Sequence, residues 1–598
     1  MGRKKEIIEI TNFTPSSYQE AIFEFIQNEK GNLVIEAAAG AGKSSTIIKA
    51  LDFIDETKRV LFCAFNKEIV KDLNKKVKHH TNVTVSTVHS VGYKVINDAL
   101  GGEISTDPLK YSSHIWKNIK YYTSMNLYAL GKKNYSRYVD NIIKLVDHCR
   151  YNLATTIEDV LPLIERHGLT LLGDEILVVF NILDWGKANL ETIDFTDMIW
   201  LPHVLDLPMG NNTYDYILFD ECQDASIAQR ELILKCRKDE DTRYVFVGDK
   251  NQSIYSFMSA SPDTFDKLKE LPNTTCLPLS ISYRCAKNIV KFAQNIVPTI
   301  EPNDDGRDGE IIKNVKLEDI QDGDMVLCRN NAPLMQVYAT FIRMGKRCYI
   351  RGRDIGQNLA KLVKNANCED LNIDLMDDGV FVRLYDQLFK IRDSILVRNG
   401  GTIETASSDQ AFTNMLDMIR ALEVLAEGLE TASELIDRIN KIFADKHLDG
   451  IALSTVHKAK GLEASNVYIA CPSLMPSKSA EKDWEIEQER NLMYVAYTRA
   501  KNKLGFIDEK GFEKFNTISA SILQKIEQTV DYILGRTNIP PTHLIGKGYS
   551  GFTASRTKKL TKPTIGRMTT LTNAKQASMP LRPLNTIITK PIRRKKTF

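Results

Sequence analysis

A run of small residues, Ala37-Ala-Ala-Gly40-Ala-Gly42-Lys43-Ser44, follows an apolar segment, and a predicted helix begins near Lys43. Glycines at positions 40 and 42 let backbone N–H groups turn toward an anion, and the positive end of the helix adds to the attraction. Lys43 would reach the β- and γ-phosphates of a nucleotide, and Ser44 would hold Mg²⁺. The spacing predicts a phosphate-binding loop, with Ala37 in place of the first glycine of the general pattern. The residues predicted to line it are Ala39, Gly40, Ala41, Gly42, Lys43, Ser44 and Ser45.

Two adjacent carboxylates, Asp220 and Glu221, end a second apolar segment, in Phe219-Asp-Glu-Cys-Gln-Asp224. An isolated Asp-Glu pair is most simply explained as solvated loop charge. In a chain that also has a phosphate-binding loop, Asp220 suits a direct or indirect contact with Mg²⁺. Glu221 suits a base that orients and deprotonates the attacking water. Together the two motifs predict hydrolysis of a nucleoside triphosphate.

The elements that must hold these residues alternate between strand-like and helix-like segments. The predicted strands are 31–36, 59–65, 83–87, 215–220 and 243–248, followed by a second set at 325–328, 451–455 and 466–470. Such alternation is typical of parallel sheets with crossover helices. Helix-rich segments interrupt each set, so the predicted fold class is α/β, with two parallel-sheet domains that each carry a helical insertion.

These changes in character divide the chain into six segments and a tail rich in Thr, Pro, Lys and Arg. The segments are 1–90 and 205–280 (first sheet domain), 91–204 (its insertion), 281–365 and 446–535 (second sheet domain), 366–445 (a shorter insertion) and 536–598 (the tail). The composition of the tail predicts disorder.

Charge is spread unevenly over the 598 residues. The chain carries a net +3, but Tyr532 to Phe598 contain fourteen Lys or Arg and no Asp or Glu, so the preceding 531 residues carry −11. A nucleic acid would therefore bind the body in a local groove rather than over a general basic surface.

Ten cysteines are scattered along the chain, and none forms a C-x-x-C pair. This spacing argues against a zinc or iron–sulfur site and favours a reducing compartment. No run approaches the roughly 18 apolar residues of a membrane span, and Met1-Gly-Arg-Lys-Lys-Glu6 lacks the apolar segment of a secretory signal. These features predict a cytoplasmic protein without membrane attachment.

Ten segments, among them the one with the carboxylate pair, follow one another in a fixed order. They are Pro15–Gln19, Phe65–Lys67, Thr87–Ser90, Asp194–Asp197, Asp220–Asp224, Val247–Tyr255, Ser282–Arg284, Leu327–Asn331, Thr455–Glu463 and Glu489–Ala500. Their residue types and order resemble superfamily 1 helicases of the UvrD/Rep/PcrA type, over about residues 15–505. The resemblance implies two RecA-like domains with ATP and Mg²⁺ bound in the cleft between them.

The resemblance also implies individual roles. Arg284 and Arg499, from the second domain, would stabilise the charge that spreads over the γ-phosphate in the transition state. Gln252 would sense that phosphate. The remaining implied contacts are Tyr283 stacked on adenine, Gln19 at the edge of the base, and Glu463 at the ribose or phosphates. The predicted catalytic set is Lys43, Asp220, Glu221, Gln252, Arg284 and Arg499.

A track for a single strand needs aromatic faces and polar phosphate contacts. The resemblance places Phe65, Asn66, His89, Tyr255, Phe257 and His457 along such a track. Tyr255 and Phe257 come directly after the γ-phosphate-sensing segment, so they can link the state of the nucleotide to base stacking. A simple core role stays open for the aromatic residues.

The chain departs from the family pattern at several positions. Family members usually have Trp-Arg-Gly where this chain has Phe257-Met-Ser259, and an aromatic residue where it has Ala464. Gln488 and Asn491 replace common charged residues, the second insertion is short, and no nuclease signature follows the last motif. These departures bear on stepping and base separation rather than on ATP hydrolysis.

The leading hypothesis is a helicase that moves 3′ to 5′ on single-stranded DNA and opens tailed or forked duplexes in replication, repair or recombination. Two alternatives stay open: a translocase that displaces proteins but unwinds poorly, and an ATP-switched nucleic-acid-binding protein. An intact hydrolytic set argues against the switch, and RNA stays open as the track because stacking does not exclude ribose. For the tail, salt-dependent DNA affinity, docking of replication or single-strand-binding proteins, and mere solubility all stay open.

Overall fold

The computed structural model describes residues 14–64, 66–127, 129, 131–254, 264–399, 409–443, 449–478, 480–507, 520–534 and 536–537. The strands are β1 (Asn32–Ala37), β2 (Val60–Ala64), β3 (Val83–Thr87), β4 (Ser105–Thr106), β5 (Thr192–Ile193), β6 (Tyr216–Phe219), β7 (Arg243–Gly248), β8 (Thr274–Leu279), β9 (Ile281–Ser282), β10 (Glu301–Pro302), β11 (Glu310–Val315), β12 (Met325–Cys328), β13 (Cys348–Ile350), β14 (Ile451–Thr455), β15 (Ala464–Ala470) and β16 (Ala500–Ile507).

The α-helices are α1 (Ser17–Asn28), α2 (Lys43–Ala50), α3 (Lys67–Lys76), α4 (Val88–Leu100), α5 (Lys110–Asn118), α6 (Gly131–Asn152), α7 (Ile157–Arg166), α8 (Glu175–Ala188), α9 (Phe195–Val204), α10 (Ile227–Lys235), α11 (Thr264–Lys269), α12 (Lys287–Ala293), α13 (Asn331–Arg343), α14 (Arg353–Asn365), α15 (Val380–Asn399), α16 (Gln410–Ala426), α17 (Ala432–Ile442), α18 (Asp483–Tyr497) and α19 (Ala520–Ile533). None of the helices within the described ranges combines the length and hydropathy that crossing a bilayer requires.

The first sheet has the strand order β3-β2-β6-β7-β1-β8, and its pairings are parallel. Strand β1 lies between β7 and β8, so that Leu33 is in register with Val245 on one side and Thr275 on the other. Strand β2 is buried along its whole length. A strand that is covered on both faces can be continuously apolar, which explains why these segments lack an alternating pattern.

The second sheet has the order β11-β16-β15-β12-β14-β13 and is also parallel throughout. Its central strands β12 and β14 are entirely buried. Two parallel sheets built from alternating strands and helices confirm the predicted α/β class.

Helices α4 to α9 lie between β3 and β6 in the chain, and α14 to α17 lie between β13 and β14. The first group has a hydrophobic core of its own, around Tyr138 and Trp200. The core of the second group, around Phe381 and Phe412, is continuous with buried residues of β12 and β14 in the second sheet. The exact domain boundaries stay a prediction, and the basic tail lies outside the described residues except for positions 536 and 537.

The two sheets share a hydrophobic cluster. We call the part of the chain up to β8 the N-terminal half and the part from β9 onward the C-terminal half. The cluster joins Ile22 and Val247 of the N-terminal half to Leu327 and Tyr494 of the C-terminal half. Their shared core brings the ends of the β-strands of one half close to loops of the other.

Candidate functional site

The phosphate-binding loop connects β1 to α2. Gly40 and Gly42 adopt left-handed backbone conformations, with φ of 73° and 80°, and α2 begins at Lys43. At Gly40 a side chain is also excluded by contact, because a Cβ there would lie 2.4 Å from the Cβ of Arg284. The loop therefore turns its backbone as a phosphate site requires, and it does so directly against the C-terminal half.

Lys43 is largely buried and pairs with Glu221, with 2.9 Å between Nζ and Oε1. Burial alone would lower the pKa of Lys43, but Glu221, Asp220 and Asp249 together raise it above the ordinary value. The ammonium group therefore stays charged at the position where phosphate oxygens would lie.

Glu221 and Asp220 follow β6 and face the start of α2. Burial raises the pKa of Glu221, but Lys43 and Lys460 outweigh it and hold the pKa below the ordinary value. Glu221 is thus ionised and can accept a proton. Its backbone is left-handed, with φ of 54°, which turns it away from the line of the strand. Such a conformation is costly for a non-glycine residue and is found mainly where function requires it.

Ser44, at the start of α2, and Asp220, directly after β6, offer a hydroxyl oxygen and a carboxylate as possible cation ligands beside the loop. Burial, followed by the neighbouring Glu221, raises the pKa of Asp220. Hydroxyl and carboxylate oxygens are ligands that Mg²⁺ prefers, and a divalent cation at this carboxyl would offset the cost of its burial. The residues therefore fit the predicted Mg²⁺ site.

We expect the Mg²⁺ requirement of hydrolysis to depend on pH because a proton and the cation compete for Asp220. A raised pKa means that the proton competes at pH values well above the ordinary aspartate value of about 3.9. The Mg²⁺ concentration for half-maximal rate should therefore rise as the pH falls, and remain low at alkaline pH. Rates measured over a Mg²⁺ series at several pH values test this. ATP itself also binds Mg²⁺ more weakly as the pH falls. If the half-maximal Mg²⁺ concentration changed with pH no more than this binding to free ATP does, the prediction would be contradicted.

Arg499 crosses from the C-terminal half to the N-terminal half. It is 1% exposed, its Nη2 donates to Oε1 of Gln252 at 3.0 Å, and its Nη1 donates to the Leu462 carbonyl at 3.3 Å. Gln252 in turn donates to Asp249 at 2.6 Å. Burial, followed by Arg284, lowers the pKa of Arg499 to about 10, so the guanidinium is still charged at neutral pH.

Arg284 lies beside Arg499 and opposite Gly40. Its Nε is 2.7 Å from Oε2 of Glu463, and Glu463 also pairs with Lys501. The six predicted catalytic residues therefore gather where the two halves meet. Glu463, predicted to contact the nucleotide, is held here by two cations.

The resemblance predicts that Tyr283 stacks on the adenine base and that Gln19 contacts its edge. The Tyr283 side chain is 45% exposed, and its backbone N–H donates to the Gly40 carbonyl at 2.9 Å, so its ring is available beside the loop. The Gln19 amide is engaged: its Oε1 accepts from the Ser16 backbone at 3.0 Å and its Nε2 donates to Thr46 at 2.8 Å. Gln19 thus caps α1 and braces α2, and the bond to Thr46 uses one of the two N–H groups of its amide.

The predicted DNA residues are only partly covered, because Phe65, Tyr255 and Phe257 lie outside the described residues. Asn66 is exposed and caps α3 by accepting from Ile69 N–H at 2.9 Å. Burial lowers the pKa of His89, and burial followed by Arg329 lowers that of His457 to about 3. Both imidazoles are therefore neutral at pH 7, so they can stack or hydrogen-bond but cannot add positive charge.

The motifs assign no role to two residues that form hydrogen bonds between the halves, Lys460 and Asn491, although both lie within the motifs. Lys460 donates to the Asp224 carboxylate and, at 2.6 Å, to the Gln252 carbonyl. Asn491, noted above as a departure, donates to the Ser253 carbonyl at 3.1 Å. The neutral amide at 491 therefore binds the backbone next to Gln252, so this departure preserves a contact between the halves.

A phosphate-binding loop joined to a carboxylate pair, and completed by two arginines from the C-terminal half, defines a P-loop nucleoside triphosphatase with a composite site. Residues 18–273 match the UvrD/REP helicase N-terminal domain, and residues 359–510 match the UvrD-like helicase C-terminal domain. The chain belongs to the UvrD/Rep helicase family. This membership confirms the predicted fold of two RecA-like domains and the predicted enzyme class, an ATP-dependent DNA helicase.

Several relatives resemble the chain over most of its length. It is 21% identical to the ATP-dependent DNA helicase Rep of Buchnera aphidicola, over 80% of this chain and 93% of that protein. It is 22% identical to the ATP-dependent DNA helicase PcrA of Staphylococcus epidermidis, over 90% of each chain. It is 24% identical to the F-box DNA helicase protein 1 of Schizosaccharomyces pombe, over 82% of this chain but 57% of that protein.

Proposed function

We propose that this protein uses ATP hydrolysis to move 3′ to 5′ along single-stranded DNA and to open tailed or forked duplexes in replication, repair or recombination. The observation that best supports the proposal is the set of bonds between the halves at the phosphate-binding loop. Arg499 binds Gln252, and Lys460 binds both Asp224 and the Gln252 carbonyl. A site assembled from two halves is complete only when they meet, so nucleotide state and domain separation become coupled.

The chain's own residues account for the hydrolytic step. A bound divalent cation would supply charge neutralisation at the phosphate oxygens. Lys43 now pairs with Glu221 at 2.9 Å, and a bound phosphate would compete for that ammonium group. As Glu221 loses its cationic partner its pKa rises, which makes it a better acceptor for the proton of the attacking water. Arg284 and Arg499 would meet the charge that develops on the γ-phosphate.

Gln252 is the residue through which nucleotide state would reach the DNA. Its side chain holds Arg499 and Asp249, its carbonyl accepts from Lys460, and the predicted stacking residue Tyr255 follows three positions later. Loss of the γ-phosphate would disturb this arrangement and shift the segment that carries Tyr255. Exposed Asn66 and the neutral rings of His89 and His457 suit uncharged contacts with a strand.

The first test is ATP hydrolysis by the wild type and by Lys43→Ala, with and without single-stranded DNA. We expect strong stimulation by DNA and a loss of at least about 100-fold in the variant, since one cationic donor to the transferring phosphate is removed. Lys49→Ala is a matched control, because Lys49 lies on the same helix but is exposed and pairs with Asp52. RNA is the second nucleic acid to test. Hydrolysis that no nucleic acid stimulates would contradict the motor.

Direction and unwinding need a second measurement. A duplex with a 3′ single-stranded tail should be opened faster than one with a 5′ tail. The reverse preference would contradict the proposed polarity. Displacement of a protein block from single-stranded DNA, without strand separation, would favour the translocase alternative. That alternative is supported by the short helical segment α14 to α17 in the C-terminal half.

A further inference from the structure

One residue of the phosphate-binding loop, Ala39, is held from the C-terminal half through both of its backbone polar groups. The Ala39 N–H donates to the Tyr494 hydroxyl at 2.9 Å, and the Ala39 carbonyl accepts from the Ser282 hydroxyl at 2.8 Å. All three residues are buried, with Tyr494 and Ser282 both at 0% exposure. Neither hydroxyl belongs to the catalytic set described above.

Each of these hydroxyls belongs to a residue that lies close in sequence to one of the arginines. Ser282 lies two residues before Arg284, and the residue between them donates its backbone N–H to the Gly40 carbonyl at 2.9 Å. Tyr494 lies in the last turns of α18, where its carbonyl accepts from Thr498 N–H at 3.0 Å. Arg499 follows, with its Nε donating to the Val495 carbonyl at 3.0 Å. The backbone of Ala39 is thus bonded to both segments that present an arginine.

The surroundings of Tyr494 show what its hydroxyl adds. The ring belongs to the hydrophobic cluster shared by the two sheets, together with Leu492, Val495 and Ala496. Phenylalanine would fill that space equally well, so packing does not account for the hydroxyl. The hydrogen bond seen for it in the described structure reaches a residue 455 positions away. The hydroxyl therefore acts by fixing the position of the phosphate-binding loop relative to α18.

We infer that Tyr494 and Ser282 are positioning residues that set the distance of Arg499 and Arg284 from the phosphate-binding loop. The inference rests on the proposed function, since it concerns the same hydrolytic site. Because both bonds end on Ala39, closure of the C-terminal half places both arginines against the loop in one fixed register. Transition-state stabilisation by a cation falls steeply when its position is off by as little as about 1 Å.

The test is Tyr494→Phe, which removes one oxygen atom. We expect kcat for ATP hydrolysis to fall by about tenfold and KM for ATP to change by less than about threefold, because the arginines act mainly in the transition state. Ser282→Ala, which removes the other bond to Ala39, should give the same pattern. Tyr497→Phe is the matched control: this residue lies on the same helix, and its ring packs against Phe292 and Phe506. It should leave kcat unchanged.

A double-mutant cycle separates positioning from general stabilisation. In the Arg499→Ala background, Tyr494→Phe should cost less than about twofold in the single-turnover rate, because Arg499, the arginine carried by the same segment as Tyr494, is no longer there to be placed. A tenfold cost in both backgrounds, or equal losses in kcat and ATP affinity, would overturn the inference. Thermal melting of each variant shows whether it is folded. If Tyr494→Phe does not fold, Ser282→Ala is used for the test instead.

The outcome is distinguishable from failure of the proposed function. The rate ratio between Tyr494→Phe and the wild type is measured with and without DNA. If DNA does not stimulate the wild type, the motor is contradicted while the ratio still decides the role of Tyr494. If DNA stimulates the wild type but the ratio is one, the motor stands and the positioning role falls.

Discussion

Replacing Arg499 with alanine should lower kcat for ATP hydrolysis by about 1,000-fold, with a much smaller change in KM for ATP. A cation that meets the γ-phosphate only in the transition state contributes this much in related phosphoryl transfers. Arg499 is suited to that task because it is 1% exposed, remains charged, and is aimed by Gln252 and the Leu462 carbonyl. Single-turnover hydrolysis at saturating ATP measures the effect.

Two further variants make the result specific. Arg499→Lys keeps the charge but cannot make the same pair of fixed contacts, so its rate should lie between those of the wild type and Arg499→Ala. Arg343→Ala removes an arginine that is 59% exposed and pairs with Glu427, so it should hydrolyse ATP like the wild type. A rate for Arg499→Ala within tenfold of the wild type would show that this arginine is structural.

Replacing Glu221 with glutamine should also lower kcat by about 1,000-fold, while ATP still binds. General-base catalysis typically contributes about 100- to 10,000-fold, and an amide cannot take the proton. Binding should be preserved or tightened, because Glu221 competes with phosphate for Lys43, to which it is paired at 2.9 Å. Equilibrium binding of a fluorescent ATP analogue and quenched-flow hydrolysis report the two effects separately.

The control for this prediction is Glu231→Gln, which alters a partly exposed glutamate paired with Arg230 on α10. It should leave both binding and hydrolysis unchanged. If Glu221→Gln instead lost ATP affinity and kept kcat, Glu221 would be a structural partner of Lys43 rather than the base. The base would then have to be sought among the other buried carboxylates, Asp224 and Asp249.

Bonds between the halves are what distinguish this site from a nucleotide site on a single domain. Lys460, Asn491, Arg499 and Tyr494 all come from the C-terminal half and bind atoms of the N-terminal half. Several of these bonds converge on the short segment from Asp249 to Ser253. We therefore expect this segment to move first when the separation of the two halves changes.

The sequence by itself determined the local structures of the site. Gly40 and Gly42 imply a left-handed loop, and the predicted strands at 243–248, 325–328 and 451–455 coincide with the observed ones. Both follow from interactions between near neighbours: backbone sterics in the loop, and burial of continuous apolar segments in the strands. For the same reason, Lys43, Asp220 and Glu221 could be assigned from short motifs.

Only the tertiary structure decided which of these residues share bonds. The Gln19 amide is hydrogen-bonded to Ser16 and Thr46, and the backbone N–H and carbonyl of Ala39 are bonded to Tyr494 and Ser282. Burial, which no local pattern reports, makes His457 neutral. Such contacts join residues up to 455 positions apart, and they depend on how two sheets pack against each other. A hydroxyl on a core tyrosine has no meaning in the sequence until that packing supplies its partner.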